Sequence, residues 1–400
     1  MSNRTRPPAG PIRAAMLVAI LVAGSAAQAD AQQTVSEVLS FLVTNRSIAT
    51  DDFVRDEQAA IATRDTISGF LGVELATLPV STSSGGFVYR LDPTLGTVVR
   101  SSDSFGPFFT ERSLTAGRNR ATFGLGFRST TFDTIDGQSL RDGTLVSTAS
   151  TLRGEAAPFD IETMSLRIRA DTVTFTANYG VTDRLDLSAA VPFVRVHLRG
   201  ERVDNYRGRE VLQAAGSASA SGPGDVVLRA KFNVLRDRAT GLAVGGEARL
   251  PTGDEENLLG AGEPSLAPRL MASYEGRRVG VHGEVGYAFS NIEDTLGYAA
   301  AVTVVAVPRL TLVGEVSGRR FDGLGRLTST TQPHPRLAGV DTIRLTSVEE
   351  ARNHLVAIAG MKWNVGTTWL MTANVLRPLT DVGLNASWVP TITFDYSFGR

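Results

Sequence analysis

The chain has 400 residues, with 40 basic and 41 acidic side chains and a formal net charge of −1, a balance that suggests no nucleic-acid partner. It has no cysteine, which excludes disulfides, a cysteine nucleophile and a lipid-anchored N-terminal cysteine. Mean hydropathy is zero, and past the N-terminus the longest largely apolar run is 298–307, broken by Thr303; that is too short for a membrane helix of ~20 residues but enough for a membrane strand of ~9–11.

The first element is a leader. Arg4, Arg6 and Arg13 form a basic region, 14–23 (AAMLVAILVA) is apolar, and Ala27-Gln28-Ala29 is an A-x-A cleavage site, with Ala29-Asp30-Ala31 as the alternative. Residues 1–29 are therefore expected to be a removed signal peptide. No Arg-Arg pair precedes the apolar run, which disfavours a twin-arginine route.

Residues 30–80 read as helical. Thr34 and Glu37 make a T-x-x-E capping box, and Val35, Val38, Leu39 and Leu42 recur at helical spacing. A second helix begins near Thr50, with Asp51 and Asp52 favourably placed in its first turn. Its apolar face carries Phe53, Ile61, Ile67, Phe70 and Leu71, interrupted by Gly69. Two placements follow: a periplasmic helical pair packed under the main domain, or a plug inside it. Residues 81–117 form a Ser/Gly-rich connector, with a small hairpin (87–91 and 97–99) around Asp92-Pro93 and an aromatic turn at 105–109.

Residues 118–400 alternate apolar and polar side chains in units of ~9–13 residues. In the last unit Trp388, Ile392, Phe394, Tyr396 and Phe398 share one face; Thr391, Thr393, Asp395 and Ser397 share the other. Strands are expected near 119–132, 163–179, 184–197, 224–235, 241–251, 264–274, 278–290, 296–306, 309–321, 350–363, 367–377 and 386–398. Short links (180–184, 236–240, 275–278, 307–309, 364–367) alternate with longer ones (134–161, 200–222, 252–262, 323–349, 379–385), and 290–295 is the short exception. Outer-membrane barrels have this alternation, with short periplasmic turns and longer external loops. In the third strand Leu185, Leu187, Ala189, Val191 and Phe193 are apolar, but beyond Pro192 the apolar phase switches to Val194, Val196 and Leu198, which marks a bulge or the strand's exit. Tyr179, Phe193, Phe232, Tyr274, Tyr287, Phe289, Trp363, Trp369, Trp388 and Phe398 crowd the strand ends, as in an interfacial girdle.

Charges on the faces opposite the apolar ones mark the lumen, because an Arg or Lys facing lipid at mid-depth costs ~2–4 kcal/mol. They are Arg229, Lys231, Glu247, Arg249, Arg269, His282, Glu284, Glu315 and Arg319. Folding the short links symmetrically sets Arg229 level with Glu247 and Arg269 level with Glu284. The set reads either as an ion-pair network filling a narrow barrel or as a lining that selects solute. Catalytic chemistry is not written in the chain. His197, His282, His334 and His354 have no metal-ligand spacing, and neither G-x-S-x-G nor a Walker A loop occurs. Gly124-Leu125-Gly126 and Gly323-Leu324-Gly325 lack the third glycine of a dinucleotide loop, and Asp254-Glu255-Glu256 reads as a solvated loop tip or a calcium ligand run. No enzyme activity, cofactor or metal is expected.

Several phrases resemble the family of outer-membrane barrel transporters associated with phenol meta-cleavage degradation pathways: 105–115 (FGPFFTERSLT), 131–137 (TFDTIDG), 178–193 (NYGVTDRLDLSAAVPF), 221–226 (SGPGDV) and 250–254 (LPTGD). The chain departs from the usual aromatic C-terminus of such barrels, since Phe398 is followed by Gly399 and Arg400. The expected fold is all-β, an antiparallel transmembrane barrel of about twelve strands with a short α-helical N-terminal region. The expected function is a porin-like channel or passive transporter for small solutes, and the resemblance implies aromatic or apolar ones. The expected location is the outer membrane of a Gram-negative-type bacterium, with outer-membrane lipid and the barrel-assembly machinery, through the C-terminal strand, as partners. Two alternatives stand beside it: a non-conducting structural or adhesive barrel displaying long external loops, and a soluble secreted β-sandwich binding module.

Overall fold

The computed structural model describes residues 33–44, 52–76, 86–92, 97–237, 239–291 and 294–399. The leader expected over 1–29 lies outside them.

Twelve strands form the wall: β1 (Arg120–Phe132), β2 (Asp160–Gly180), β3 (Leu185–Tyr206), β4 (Val226–Arg236), β5 (Thr240–Leu250), β6 (Ser265–Glu275), β7 (Val279–Ser290), β8 (Thr295–Val307), β9 (Leu310–Phe321), β10 (Arg352–Gly366), β11 (Trp369–Pro378) and β12 (Val389–Gly399). Each pairs antiparallel with its chain neighbour, and β12 pairs with β1 from Thr391↔Arg128 to Gly399↔Arg120. The sheet therefore closes, and no edge remains in the wall. Outside the closed belt stand large apolar side chains: Phe123, Phe175, Leu228, Leu270, Val281, Val302, Leu312 and Ile392 are all exposed. So are the strand-end aromatics, and Trp369, Tyr396, Phe398 and Phe123 stack in a chain at the short-turn end. A closed barrel with an apolar outer belt needs lipid around it, which is the outer-membrane type of β-barrel. A soluble sandwich would bury that face. No helix among the described residues is long and apolar enough to cross a membrane.

Three of the long links, 134–161, 200–222 and 323–349, are themselves largely β-structure. Arg209–Pro223 continues from β3 as a hairpin, and Gly325–Pro333 pairs with Val340–Glu349, which pairs with Leu145–Leu152 beside β2. The wall thus rises well past the apolar belt at one end. Pro192 makes no bulge: β3 runs straight through it, with Thr174↔Pro192 and Val173↔Phe193 in one register with β2. The phase switch has another cause. Below it, the outer face meets lipid and carries Leu187 and Val191. Above it, the outer face meets water and carries Arg195 and Arg199, while Val194, Val196 and Leu198 turn inward and are buried. β2 switches at the same height, with Met164, Leu166, Ile168 and Ala170 buried inside and Arg167 and Arg169 outside.

What those inward apolar side chains meet is the N-terminal region. Helix α1 (Val35–Val43) carries the capping box, with Glu37 N–H donating to Thr34 Oγ1 at 3.1 Å. Val35, Val38, Leu39, Leu42 and Val43 join one buried cluster with Leu166, Ile168, Val196 and Leu198. At Gly200 a Cβ would lie 2.7 Å from Leu42 Cδ1, so only glycine lets the helix approach the strand. Arg202, paired with Glu162, donates to the Leu42 carbonyl at 3.0 Å and to that of Thr44, satisfying the end of α1. At the start of α1, the Glu256 carbonyl accepts Ser36 N–H at 3.0 Å; the Asp254-Glu255-Glu256 run thus supports a helix. Helix α2 (Phe53–Ala76) docks through Asp56 on Arg344 at 2.6 Å and through Phe70, edge-on to Phe321 with ring centroids 6.3 Å apart. Of the two placements expected, under the main domain or inside it, the packing bears on the second: both helices fill the long-link end, because the apolar surface matching theirs lies inside the raised wall.

Candidate functional site

Between the helices and the short-turn end, the connector enters the lumen. Its small hairpin pairs Tyr89–Asp92 with Thr97–Arg100. Phe87 and Phe105 are packed edge-on with ring centroids 5.5 Å apart and join Leu370, an inward residue at the foot of β11. Residues 101–117 then cross the barrel as a strap whose backbone is tied to the wall by polar side chains. Glu315 accepts N–H groups from Phe108, Phe109 and Thr110, the last at 3.1 Å. Glu284 accepts Glu111 N–H at 3.2 Å, Ser273 accepts Ser113 N–H at 2.9 Å, and Asp186 accepts Ala116 N–H at 2.9 Å. Lys231 donates to the Arg112 carbonyl and to Glu111, both at 3.2 Å, and Lys362 donates to the carbonyls of Phe105 and Pro107. The strap turns at Gly106, at φ +72° and 2.9 Å, from its would-be Cβ, to the buried Arg112 guanidinium. That is a left-handed position with no room for a side chain. The strap leaves the lumen at Gly117 and Arg120 and becomes β1 at the short-turn end.

Above the strap lies a cavity of about 660 Å³. Six of the nine residues expected to line the lumen reach it: Arg229, Glu247, Arg249, Arg269, Glu284 and Arg319. The other three, Lys231, His282 and Glu315, sit lower; Lys231 and Glu315 hold the strap, and His282 Nδ1 is 3.1 Å from Ser273 Oγ. Glu247 gathers three guanidiniums, with Arg229 at 2.7 Å, Arg269 at 3.0 Å and Arg249 at 3.8 Å. Arg229 and Glu247 are register partners, as expected. Arg269 is not level with Glu284: it faces Gly286, because the link turns over 276–279 and sets Glu275 opposite Gly280. A slip of two residues preserves the face, and the arginine reaches Glu284 diagonally at 3.4 Å.

The opposite arc of the cavity is apolar. Val356, Ile358, Leu376, Ala386 and Val389, with Phe109 of the strap, pack as one cluster on β10 to β12. Arg128, Tyr298 and His354 also line it, as do Arg64, Glu255, Glu256 and Glu263. No charge marks Val356 and Ile358 of this arc in the sequence, although both alternate with outward side chains, which puts them inward by parity. Asp186 and Lys362 were visible by the same test, each polar between apolar neighbours. Nothing local in 101–117 announces a lumen segment, since its partners are far away in the chain. Among the described residues no group of side chains has metal-site geometry.

Residues 147–310 match the family model described as "Putative MetA-pathway of phenol degradation". No curated protein matches the chain. Among solved structures, the chain is similar to the COG4313 outer membrane channel from Pseudomonas putida F1, at 12% identity and a TM-score of 0.46, covering 72% of this chain and 98% of that one. It is also similar to the KdgM porin (8% identity, TM-score 0.35, 68% and 99% coverage) and to a Pseudomonas aeruginosa FadL homologue (9%, 0.32, 70% and 90%). By the family match and by the strand-and-turn phrases read above, the chain resembles the outer-membrane barrel family linked to phenol degradation.

Proposed function

We propose that the protein is a passive channel for small solutes across the outer membrane, with the short turns in the periplasm and the helices at the external mouth. The observation that carries this reading is the 660 Å³ cavity inside a closed, lipid-belted wall, between a helical cap and a strap. Its size is that of a site for a small molecule. The family description and the apolar arc favour aromatic or partly apolar solutes. The polar ties of the strap favour gated passage, in which the lower lumen opens when the strap yields.

The test is single-channel conductance in planar bilayers, with solute-driven swelling of proteoliposomes. The channel reading expects solute-dependent swelling above that of empty vesicles. A second reading, a non-conducting structural barrel, is favoured by the buried strap; it expects neither conductance nor swelling, even after the strap is loosened.

A further inference from the structure

The cavity has two chemistries facing each other. On one arc, Glu247 is shared by the guanidiniums of Arg229, Arg249 and Arg269, and Glu284 adds a second carboxylate at 3.4 Å from Arg269. Arg229 also reaches Glu111 of the strap at 3.4 Å. A guanidinium carries about five N–H donors and a carboxylate about four acceptor sites, and Glu111 and Glu284 also accept from Lys231 and from the strap backbone, so the acceptors of this arc fall short of its donors. Nε of Arg269 is buried there without a hydrogen-bond partner. On the other arc, Val356, Ile358, Leu376 and Val389 offer a continuous apolar surface.

We infer that this cavity binds an amphipathic anion, a carboxylate carried on an apolar, ring-sized body. The inference rests on reading this same lumen as the solute path. A purely apolar solute would strip water from the guanidiniums and return nothing to them. A small inorganic or short-chain anion would leave the apolar arc wet. A carboxylate on an apolar body satisfies both arcs at once, with the bidentate fork of arginine as its acceptor site.

The experiment is isothermal titration calorimetry on the folded, detergent-solubilised barrel, with 3-phenylpropionate, 3-phenyl-1-propanol and acetate as probes. 3-Phenylpropionate should bind at least about tenfold more tightly than either of the others, the size of one charge-assisted hydrogen bond or of a buried ring. Arg249→Gln and, separately, Ile358→Asn should each weaken it by about fivefold or more, with folding checked by the heat-dependent gel shift. Equal binding of the alcohol would remove the guanidinium arc from the site, and equal binding of acetate would remove the apolar arc; either overturns the inference, as does no binding of any probe. Because the titration needs no membrane, it separates from the channel reading: binding without conductance upholds the site and defeats the channel, while conductance without binding does the reverse.

Discussion

Glu315 of the wall and Thr110 of the strap are joined twice, the carboxylate accepting both the Thr110 N–H and its hydroxyl at 3.1 Å. The same carboxylate takes the N–H groups of Phe108 and Phe109, so one side chain anchors three consecutive peptide groups. Glu315→Ala should release the centre of the strap. Removing one partner from a buried charged network costs about 3–5 kcal/mol. The expected outcome is a gel shift at lower temperature together with a larger single-channel conductance. Unchanged conductance in a folded variant would mean the strap does not gate the lumen.

Asp56 and Arg344 tie α2 to the raised wall at 2.6 Å, both side chains being buried. Asp56→Ala leaves an arginine buried without its carboxylate, again about 3–5 kcal/mol. Hydrogen exchange should quicken across α2 and leave the amides of β4 to β7 unchanged. Uniform quickening would show that cap and barrel unfold as one unit.

The polarity inversion along β2 and β3 gives a positional prediction. Leu270 lies outward at mid-height on β6 and is exposed, so Leu270→Arg should cost about 2–4 kcal/mol in lipid. Arg195 lies outward on β3 above the switch, so Arg195→Leu should stay within about 0.5 kcal/mol. Urea unfolding in vesicles measures both, and equal costs would refute a lipid boundary near Phe193.

Asp160 belongs to the raised wall above that boundary. Burial, then hydrogen bonding and repulsion from Asp204 and repulsion from Glu162, push its carboxyl up to about 7. In the unfolded chain the group ionises near 3.8. Between those values the folded state holds a proton that the unfolded state has lost, so stability falls as pH rises and is lowest above about 7. The raised wall should therefore be harder to proteolyse at pH 5 than at pH 8, and Asp160→Asn should flatten the difference. A wild-type profile already flat over that range would count against the shift.

The wall was legible because alternation is a local property. β7 was expected over 278–290 and is Val279–Ser290; β9 was expected over 309–321 and is Leu310–Phe321. The lumen charges were legible for the same reason, since parity alone puts Arg229 and Glu247 inside. The placement of the helices was not, because an amphipathic face records that Leu39 and Leu42 are covered without saying by what. Their partners, Val196 and Leu198, looked like a defect in β3 when they were its second environment. The strap was illegible because its backbone is held by single polar side chains such as Glu315 and Asp186, far away in the chain. Lys231 and Lys362, the two lysines among the chain's 40 basic residues, are both buried against strap carbonyls. An ammonium is a compact donor that fits between carbonyl oxygens where a planar fork would not.

The path of the N-terminal region also ties the contents of the lumen to the seam of the barrel. Helices α1 and α2, then the strap, precede β1 in the chain, and all of them end inside the wall. β1 meets β12 last in sequence, so that junction is where the cylinder is sealed. The seam of the cylinder is thus made by the very strand that the strap runs into, so the cargo of the lumen and the closing hydrogen bonds lie on one continuous stretch of chain.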